Sequence, residues 1–562
     1  MMACASVLTF IPLGRRATIS GYSERKVSWS MRVFPFLILP FLLHSTIKLT
    51  TASETAADSA TKAKPNIVYI LADDMGWNDV SFHGYNEIPT PNIDALAKKG
   101  VIMNSYYAQY MCTPSRSALL TGKYPIRNGL QHYVLRMAEP RGLDPTQKIL
   151  PQYLREQGYA THMIGKWHVG YYKRSMTPTS RGFDTFFGYY AGSSDYYNYT
   201  TTAGVPPEYV GFDLWDNLTP ARQYIGQYAT EVYTEKAVDR IDNHNYDKPL
   251  FLYLAHFAPH WANKYDSVQA PEKYIKRFPN IKNEGRRKYA ATMAALDDSV
   301  GAVVQALQAK NVLDNTIIVF ASDNGGAGAE QELLMGKPVT FASNWPLKGA
   351  KTSQWEGGVR VPCVVSSPLL EKQGYISNEL YHITDWLPTF VQLAGGSVTD
   401  SEVDGKDIWK SLSQGLPSPR KEVLIQADPV WDEYAIRWNQ FKLVVGSYAQ
   451  NGNRIDQWYE PEGGLDVSLI IDTPGALICD QTAALGEKQR SPCDAAMSPC
   501  LFDVVTDPCE LRNLAEERPD MVGFLYEKIR EFNRTALPSD NLPLDPRAKA
   551  ALNDFLIQPY LD

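Results

Sequence analysis

One cysteine stands at the start of a short segment with helical character. The stretch QYMCTPSRSALLTGK contains Cys112, Pro114, Arg116 and Gly122. Proline suits the first turn of a helix and glycine its end, so Cys112 lies beside a helix N-terminus, where backbone N–H groups favour anions. Arg116 is four residues further on and lies on the same helix face. The segment predicts a thiol at an anion-binding position, although a buried structural cysteine with a surface arginine fits this window equally well.

Acidic side chains follow two apolar runs elsewhere in the chain. Asp73 and Asp74 end NIVYILADD, while Asp323 and Asn324 follow the apolar part of NTIIVFASDNGG. Adjacent carboxylates repel one another, and four oxygen-bearing side chains without histidine suit a hard cation. Calcium fits better than magnesium because its flexible shell tolerates crowded carboxylates. Each pair alone could simply form a turn, but their joint occurrence after matching strands favours a metal site.

The elements that position these residues alternate between strands and helices over residues 65–420. The clearest strands are NIVYILADD, YATHMIGKWH, PLFLYLAHFAPH and NTIIVFASDNGG, and the clearest helices are RRKYAATMAALDDSVGAVVQALQAKN and YHITDWLPTFVQLAGG. This alternation predicts an α/β fold with a large, mainly parallel sheet sandwiched by helices. In such a sheet the polar residues that follow the strands share the carboxyl edge, where ligands bind.

The pattern changes after SLSQGLPSPR. Separated strands such as EYAIRWNQFKLVVG and LFDVVTD are followed by a helix around PDMVGFLYEKIREFN. We therefore expect a catalytic domain at 65–420 and a smaller C-terminal α+β domain at 421–562. A chain of 562 residues is long enough for two such cores. Its net charge of -7, without a long basic run, gives no indication of nucleic-acid binding.

The N-terminus predicts entry into the secretory pathway. Arg32 precedes an apolar run from Val33 to Leu43, and small residues follow up to Ser53. Residues 1–53 are therefore interpreted as an N-terminal extension with a signal peptide, and initiation at Met31 would give that peptide an ordinary length. The apolar run is shorter than the roughly 18 residues of a membrane span, so no stable span is expected.

Glycosylation motifs and cysteines favour the same compartment. Asn198, Asn217 and Asn533 begin Asn-x-Thr motifs. Four cysteines cluster near the end of the chain and could form two disulfides in any of three pairings: Cys479, Cys493, Cys500 and Cys509. Cys112 has no nearby partner in the sequence.

The stretch CTPSRSALLTG resembles the signature of the cysteine-type sulfatases. Blocks with the same resemblance extend from about residue 66 to at least residue 388: LADDMGWNDVSFHG, GKWHVG, RGFDTFFGY, SDNGG and NWPLKGAKTSQWEGGVR. The blocks are closest to the branch that contains arylsulfatases B, I and J. The resemblance implies an alkaline-phosphatase-like fold and hydrolysis of sulfate esters.

The resemblance also implies roles for individual residues. Cys112 would be converted to formylglycine by the formylglycine-generating enzyme, and its hydrate would supply the nucleophile. One Ca²⁺ would be held by Asp73, Asp74, Asp323, Asn324 and an oxygen of the modified residue 112. The implied catalytic set is Cys112, Arg116, Lys166, His168, His260, Lys351 and Asp323. The family pattern selects Lys351 over Lys348 and His260 over His256.

The implied reaction has two stages. One hydroxyl of the residue 112 hydrate attacks sulfur and loses its proton to Asp323, while His260 or Lys351 protonates the leaving alcohol. The second hydroxyl then loses a proton to His168, so that sulfate is expelled and the aldehyde returns. A single hydroxyl could not regenerate itself in this way, which is the chemical reason for an aldehyde hydrate.

The substrate expected from the resemblance is an aryl sulfate or a sulfated sugar, most specifically N-acetylgalactosamine 4-sulfate of chondroitin or dermatan sulfate. The enzyme would be lysosomal or secreted. The alternatives are a sulfatase for a different sulfated glycan or small sulfate ester, a phosphatase or phosphodiesterase of the same superfold, and a glycan-binding pseudoenzyme. A phosphatase of this superfold would need zinc and histidine ligands.

Overall fold

The four apolar runs predicted as strands form the centre of one ten-stranded sheet. They correspond to β1 (Asn66–Ala72), β4 (Ala160–Lys166), β10 (Leu250–Ala255) and β11 (Thr316–Ser322). The computed structural model describes residues 63–562 except 202–205, 329–339, 400, 402, 448–454, 472, 474, 478, 480–492 and 540. The predicted extension and signal peptide at 1–53 lie outside the described residues.

The large sheet is parallel at its centre and mixed at its edges. Five neighbouring strands run parallel: β11, β1, β10, β4 and β5 (Thr185–Tyr189). Antiparallel strands flank them, namely β12 (Cys363–Ser366) beside β11 and β8 (Trp215–Asp216) beside β5. The strand order is β13-β2-β12-β11-β1-β10-β4-β5-β8-β9. The remaining strands of this sheet are β2 (Val101–Met103), β9 (Thr219–Pro220) and β13 (Tyr375–Ser377).

Helices cover both faces of the sheet. Because side chains alternate across a strand, Ile67 and Tyr69 of β1 face one helical layer while Val68 and Ile70 face the other. The helices are α1 (Pro91–Lys99), α2 (Cys112–Thr121), α3 (Leu150–Glu156), α4 (Ala229–Asp242), α5 (Glu272–Ile275), α6 (Glu284–Ala309), α7 (Glu356–Val359), α8 (Trp386–Leu393), α9 (Trp409–Gln414) and α10 (Pro519–Asn533).

The predicted helices are present, but one is shorter than its sequence pattern. The run YHITDWLPTFVQLAGG begins with the two-residue strand β14 (Tyr381–His382), which pairs with β3 (Tyr106–Tyr107). The helix α8 starts only at Trp386, because Asp385 accepts from the backbone N–H of His382 and closes a 3₁₀ turn. Gly395, with φ of 80°, follows the helix as expected. The other two-residue strands are β6 (Thr200–Thr201) and β7 (Gly211–Phe212).

A second, four-stranded antiparallel sheet follows in the chain. It consists of β15 (Glu422–Asp428), β16 (Glu433–Trp438), β17 (Phe441–Val445) and β18 (Cys500–Asp503). Its apolar side chains pack on Tyr107, Met111 and Trp355 of the larger part, and α10 covers its other face. The domain limits at 420 and 421–562 stay a prediction.

Two disulfides close near this sheet, Cys479–Cys509 and Cys493–Cys500. They realise one of the three pairings that the sequence allowed.

The last residues return to the part of the chain that contains the large sheet. Ile557 donates its backbone N–H to Phe212 at 2.9 Å, and Tyr560 donates to Tyr172 at 3.1 Å. Ala548 and Ile557 belong to the main hydrophobic core. Within the described part of the chain, no helix has both the length and the apolar character needed to cross a membrane.

Candidate active site

The acidic residues predicted to share a sheet edge do meet there. Strands β1 and β11 are parallel neighbours in which Ala72 pairs with Ser322, so the residues that follow both strands emerge together. The backbone N–H of Asp74 donates to Asp323 Oδ1 at 3.2 Å, and Asn324 Nδ2 donates to Asp74 Oδ1 at 2.8 Å. Asp73 and these three residues are all fully buried.

Cationic side chains surround these carboxylates. Arg116 Nη2 lies 2.8 Å from Asp323 Oδ2, and Lys166 Nζ lies 2.7 Å from Asp73 Oδ2. The side chain of Lys351 extends into the same cluster, with Nζ 2.5 Å from Asp74 Oδ1. The nearby Lys348 instead lies over the ring of Trp355, 3.5 Å from its centroid.

The cluster surrounds Cys112, the first residue of α2. Its Sγ atom lies 3.4 Å from Asp73 Oδ1 and 3.3 Å from Lys351 Nζ. Burial raises the pKa of the Cys112 thiol, and Lys166 and Lys351 oppose that shift only in part. Since the thiolate is the nucleophilic form of cysteine, the unmodified side chain is a poor nucleophile here.

Two of the carboxylates differ in their affinity for protons. Burial raises the pKa of Asp323, and the charge of Asp73 raises it further. Burial acts in the same direction on Asp73, but Lys166, His260 and Arg116 hold the pKa of that carboxyl well below its usual value. Asp323 is therefore the better proton acceptor of the two, as its predicted role requires.

His168 is held in one tautomer. Its Nε2 atom lies 3.0 Å from the carbonyl oxygen of Leu135, which can only accept, so Nε2 carries the proton. Nδ1 is buried without a hydrogen-bond partner among the described residues and is left as an acceptor. Burial and the charge of Lys166 hold the pKa of His168 well below 6.5. The backbone of His168 has φ of 53°, a conformation that costs energy outside glycine and is common at functional sites.

His260 approaches the cluster from the loop after β10. Its Nε2 atom lies 3.5 Å from Asp74 Oδ2, and its Nδ1 lies 2.7 Å from the carbonyl oxygen of Trp261. Burial lowers the pKa of His260 to about 4, although Asp74 and Asp73 oppose the shift. His256 lies apart from the cluster and contacts Ser299 Oγ at 3.0 Å. The structure thus brings the predicted site residues other than His168 into contact and leaves His256 and Lys348 outside. His168 interacts with Lys166, Arg116 and Asp73 through their charges.

Four side chains lie close enough together to hold a metal ion, and they differ from the predicted ligand set by including His260 and lacking Asp323. Ligand atoms of Asp73, Asp74, Cys112 and His260 lie within 4.8 Å of one another. The Oδ1 atom of Asn324 is buried and has no hydrogen-bond partner among the described residues, so it is an oxygen donor with no other use there. Asp323, predicted as a ligand, faces Arg116 through one oxygen and the backbone of Asp74 through the other.

The ionised side chains of the cluster balance one another without an ion. The three carboxylates of Asp73, Asp74 and Asp323 are matched by Arg116, Lys166 and Lys351. The charges of these six side chains sum to zero when all six are ionised. A divalent ion would make the centre positive and suit it to an anionic substrate.

The sequence did not predict two groups that support the site residues: the carbonyl oxygen of Leu135 and the side chain of Lys442. The contact of Leu135 with His168 is made by a backbone carbonyl oxygen, which every residue type has, so the sequence gives no indication of it. Lys442, buried in β17, lies 2.9 Å from carboxylate oxygens of both Glu356 and Glu510. A charged residue inside the apolar run FKLVV was the available indication that a buried partner exists.

This ion cluster links the small sheet to the loop of Lys351. Glu510 accepts the backbone N–H of Glu356 at 2.9 Å, at the start of α7. The carbonyl oxygen of Gly358 in α7 then accepts from Gly325, which follows Asn324, at 2.9 Å. The cluster thus supports the segment that follows β11 as well as the Lys351 loop.

We expect Lys442→Met to lower the free energy of unfolding by about 3–5 kcal/mol, because it leaves the buried Glu510 without its cation and Glu356 with Arg360 alone among the described residues. Urea unfolding of the variant measures the change. Lys276→Met is the matched control, since its ion pair with Glu272 is exposed and such pairs contribute about 0–1 kcal/mol. If Lys442→Met is as stable as the control, the cluster does not stabilise this junction.

The comparisons with known proteins agree with this geometry. Residues 65–397 match the Sulfatase family. The chain is 38% identical to arylsulfatase J of Mus musculus over 92% of this chain and 83% of that protein. It is 30% identical to N-acetylgalactosamine-6-sulfatase of Rattus norvegicus over 84% of this chain and 86% of that protein.

A solved structure shares the fold over nearly its whole length. The crystal structure of Ps i-CgsB in complex with k-i-k-neocarrahexaose superposes with a TM-score of 0.67 at 28% identity, covering 88% of this chain and 98% of that one. The predicted alkaline-phosphatase-like α/β architecture is confirmed by this likeness and by the ten-stranded sheet with its separate four-stranded sheet. The family match covers more than half of the residues, and this chain therefore belongs to the sulfatase family of sulfuric ester hydrolases.

Proposed function

We propose that this sulfatase removes sulfate from a terminal sulfated sugar, N-acetylgalactosamine 4-sulfate, and also hydrolyses small aryl sulfates. The observation that carries the proposal is the buried cationic set around residue 112. Arg116, Lys166 and Lys351 all lie within 3.5 Å of the carboxylates beside Cys112. Preorganised positive groups of this kind stabilise charge that develops on the oxygens of a transferring group.

The metal proposed for the centre is one Ca²⁺. Asp73, Asp74, Asp323, Asn324 and an oxygen of modified residue 112 would hold it, and it would supply positive charge for the sulfate and for the nucleophile. The carboxylate oxygens of Asp73 and Asp74 and the unpartnered Asn324 Oδ1 support this choice over zinc once residue 112 offers an oxygen in place of its thiol.

Residue 112 is proposed to act as formylglycine rather than as cysteine. Its aldehyde hydrate would supply one hydroxyl to attack sulfur and a second to release the sulfate. The raised pKa of the buried thiol supports this, because the unmodified side chain stays protonated. The formylglycine-generating enzyme is the partner that this modification requires.

The surrounding residues divide the proton transfers. Asp323 has a raised pKa and accepts the first proton. Lys351 remains protonated because Asp74 and its neighbours raise its pKa, despite the opposing effect of burial, and it can protonate the leaving oxygen. His260 is neutral in the free site above about pH 4, so it orients the leaving oxygen until the anionic substrate raises its pKa.

His168 is the proposed acceptor of the proton from the second hydroxyl of the residue 112 hydrate. Its Nε2 proton is committed to Leu135, so Nδ1 is the atom that takes a proton from the second hydroxyl. The low pKa of His168 keeps this nitrogen unprotonated and available before the transfer.

The size of the cationic centre and the net charge of the chain favour a terminal sulfated sugar over an internal one. One compact cationic centre suits one sulfate, whereas the net charge of -7 argues against a long basic track for an internal stretch of polyanion. An exo-acting enzyme on a terminal sugar therefore fits best. The N-acetylgalactosamine-6-sulfatase relatives make the 6-sulfate of the same sugar the second candidate.

The proposed compartment is the secretory pathway, with the mature protein lysosomal or secreted. The two disulfides support this, because disulfides persist in oxidising compartments and are rare in the cytosol. The signal peptide proposed at 1–53 supplies the route of entry.

A panel of defined sulfated oligosaccharides tests the substrate. We expect the highest kcat/KM for a terminal N-acetylgalactosamine 4-sulfate, lower values for the 6-sulfate, and measurable hydrolysis of an aryl sulfate. Preference for internal sulfates, or for glucosamine sulfates, would contradict the substrate and leave the sulfatase chemistry intact. Stoichiometric zinc with phosphate ester hydrolysis would favour the phosphatase alternative, and the absence of all turnover would favour a pseudoenzyme.

A further inference from the structure

Trp261 follows His260 in the chain and packs against its imidazole. Its indole packs nearly parallel to the imidazole, with ring centroids 5.5 Å apart and an angle of 20° between the planes. Phe257 packs against the same imidazole at 5.3 Å. Phe257 is buried, whereas Trp261 is partly exposed. Of these two aromatic neighbours of His260, Trp261 is therefore the one that solvent reaches.

The loop that carries Trp261 is held in place on both sides. Tyr196 donates its hydroxyl to the carbonyl oxygen of His260 at 2.9 Å. Asn263 donates to the buried Asp195 at 2.7 Å and accepts the backbone N–H of Tyr265 at 2.8 Å. An aromatic side chain fixed in this way loses little conformational entropy when a ligand packs on it.

We propose that Trp261 is a specificity-determining residue that stacks on the C–H face of the pyranose ring whose sulfate is hydrolysed. The inference rests on the proposed function. The leaving oxygen belongs to that ring, so an oxygen at His260 brings the ring within reach of an indole 5.5 Å away. Aromatic rings supply a large apolar surface with defined geometry.

The same contact would favour galacto over gluco configuration. An axial oxygen at C4 leaves the opposite face of the ring with a continuous patch of C–H groups, whereas an equatorial oxygen interrupts that patch. Trp261 is thus expected to contribute to the choice of galactosamine over glucosamine, in addition to the affinity for sulfate that the cationic centre supplies.

The test compares Trp261→Ala and Trp261→Phe with the wild-type holoenzyme. For Trp261→Ala we expect kcat/KM for N-acetylgalactosamine 4-sulfate to fall about 10-fold, mainly through a higher KM, because an aromatic contact is lost. The ratio of kcat/KM between this sugar and N-acetylglucosamine 4-sulfate, which differs from it only in the configuration at C4, should fall with it. Trp261→Phe should keep most of the wild-type preference, and inhibition by inorganic sulfate should be unchanged in both variants.

Tyr265→Ala is the matched control, because Tyr265 lies in the same loop and is 85% exposed. It should leave all these values unchanged. An equal loss of kcat for both sugars and for an aryl sulfate would overturn the proposal, since it would show that Trp261 only orients His260. If the wild-type enzyme hydrolyses aryl sulfates but neither sugar, the proposed sugar substrate itself fails, and the stacking role fails with it.

Discussion

Cys112→Ser abolishes turnover while the protein still folds. We expect kcat to fall by roughly 10⁴-fold or more, the scale seen when a nucleophile is removed. Serine replaces one buried side chain with another of similar size, so the thermal unfolding midpoint should change little. A serine hydroxyl that attacks sulfur has no second hydroxyl with which to expel the sulfate. Hydrolysis of a sulfate ester and a thermal unfolding curve measure these two effects.

Tryptic mass spectrometry of the wild-type protein supplies the control. In protein secreted from cells that contain the formylglycine-generating enzyme, the peptide that contains residue 112 should carry formylglycine. Cys363→Ser is a matched variant, because Cys363 is the other free cysteine among the described residues and is also buried, in β12. It should keep its activity. Active enzyme with only unmodified thiol at position 112 would refute the proposed nucleophile.

The second large effect is expected at Asp323. Asp323→Asn removes one negative charge while keeping the shape of the side chain, so the centre should retain calcium poorly and lose at least about 10³-fold in kcat/KM, as for the loss of a preorganised electrostatic group. Asp323 also accepts two hydrogen bonds from Arg116 at 2.8 and 3.1 Å. The variant therefore disturbs the anion-binding arginine as well. Metal analysis of the purified protein and hydrolysis of an aryl sulfate measure both consequences.

Asp298→Asn is the control for this substitution. Its side chain is 41% exposed and pairs with Arg277 at the surface, so metal content and activity should stay at wild-type values. Full calcium occupancy together with full activity in Asp323→Asn would refute the proposed ligand role. Stoichiometric zinc in the wild-type protein would refute the choice of metal.

Local sequence patterns predicted the large sheet well. Runs such as NIVYILA are apolar on successive residues because both faces of a central strand are buried. The polar residues after the strands therefore meet at one edge, and this placed Asp73 near Asp323 without knowledge of any contact. The choice of His260 over His256 came from the family resemblance, because the two histidines are only four residues apart in an apolar context.

Other features depend on contacts that no local pattern contains. Leu135 fixes the tautomer of His168 through a backbone carbonyl, which any residue type provides. Lys442 reaches Glu356 across 86 residues of chain. The start of α8 at Trp386 depends on the side chain of Asp385 and on strand pairing with β3. Tertiary partners decide such features, so they became visible only in the fold.

The burial of α2 would set a time limit on the proposed modification of Cys112. All ten residues of this helix are buried, and Cys112 is 1% exposed. A modifying enzyme would therefore have to reach the segment before folding covers it. Asp323, which follows β11, is synthesised about 210 residues after Cys112, and at about 5–20 residues per second this takes roughly 10–40 s. Folding and the proposed modification would thus compete kinetically, and the late synthesis of β11 would leave the modifying enzyme time to act.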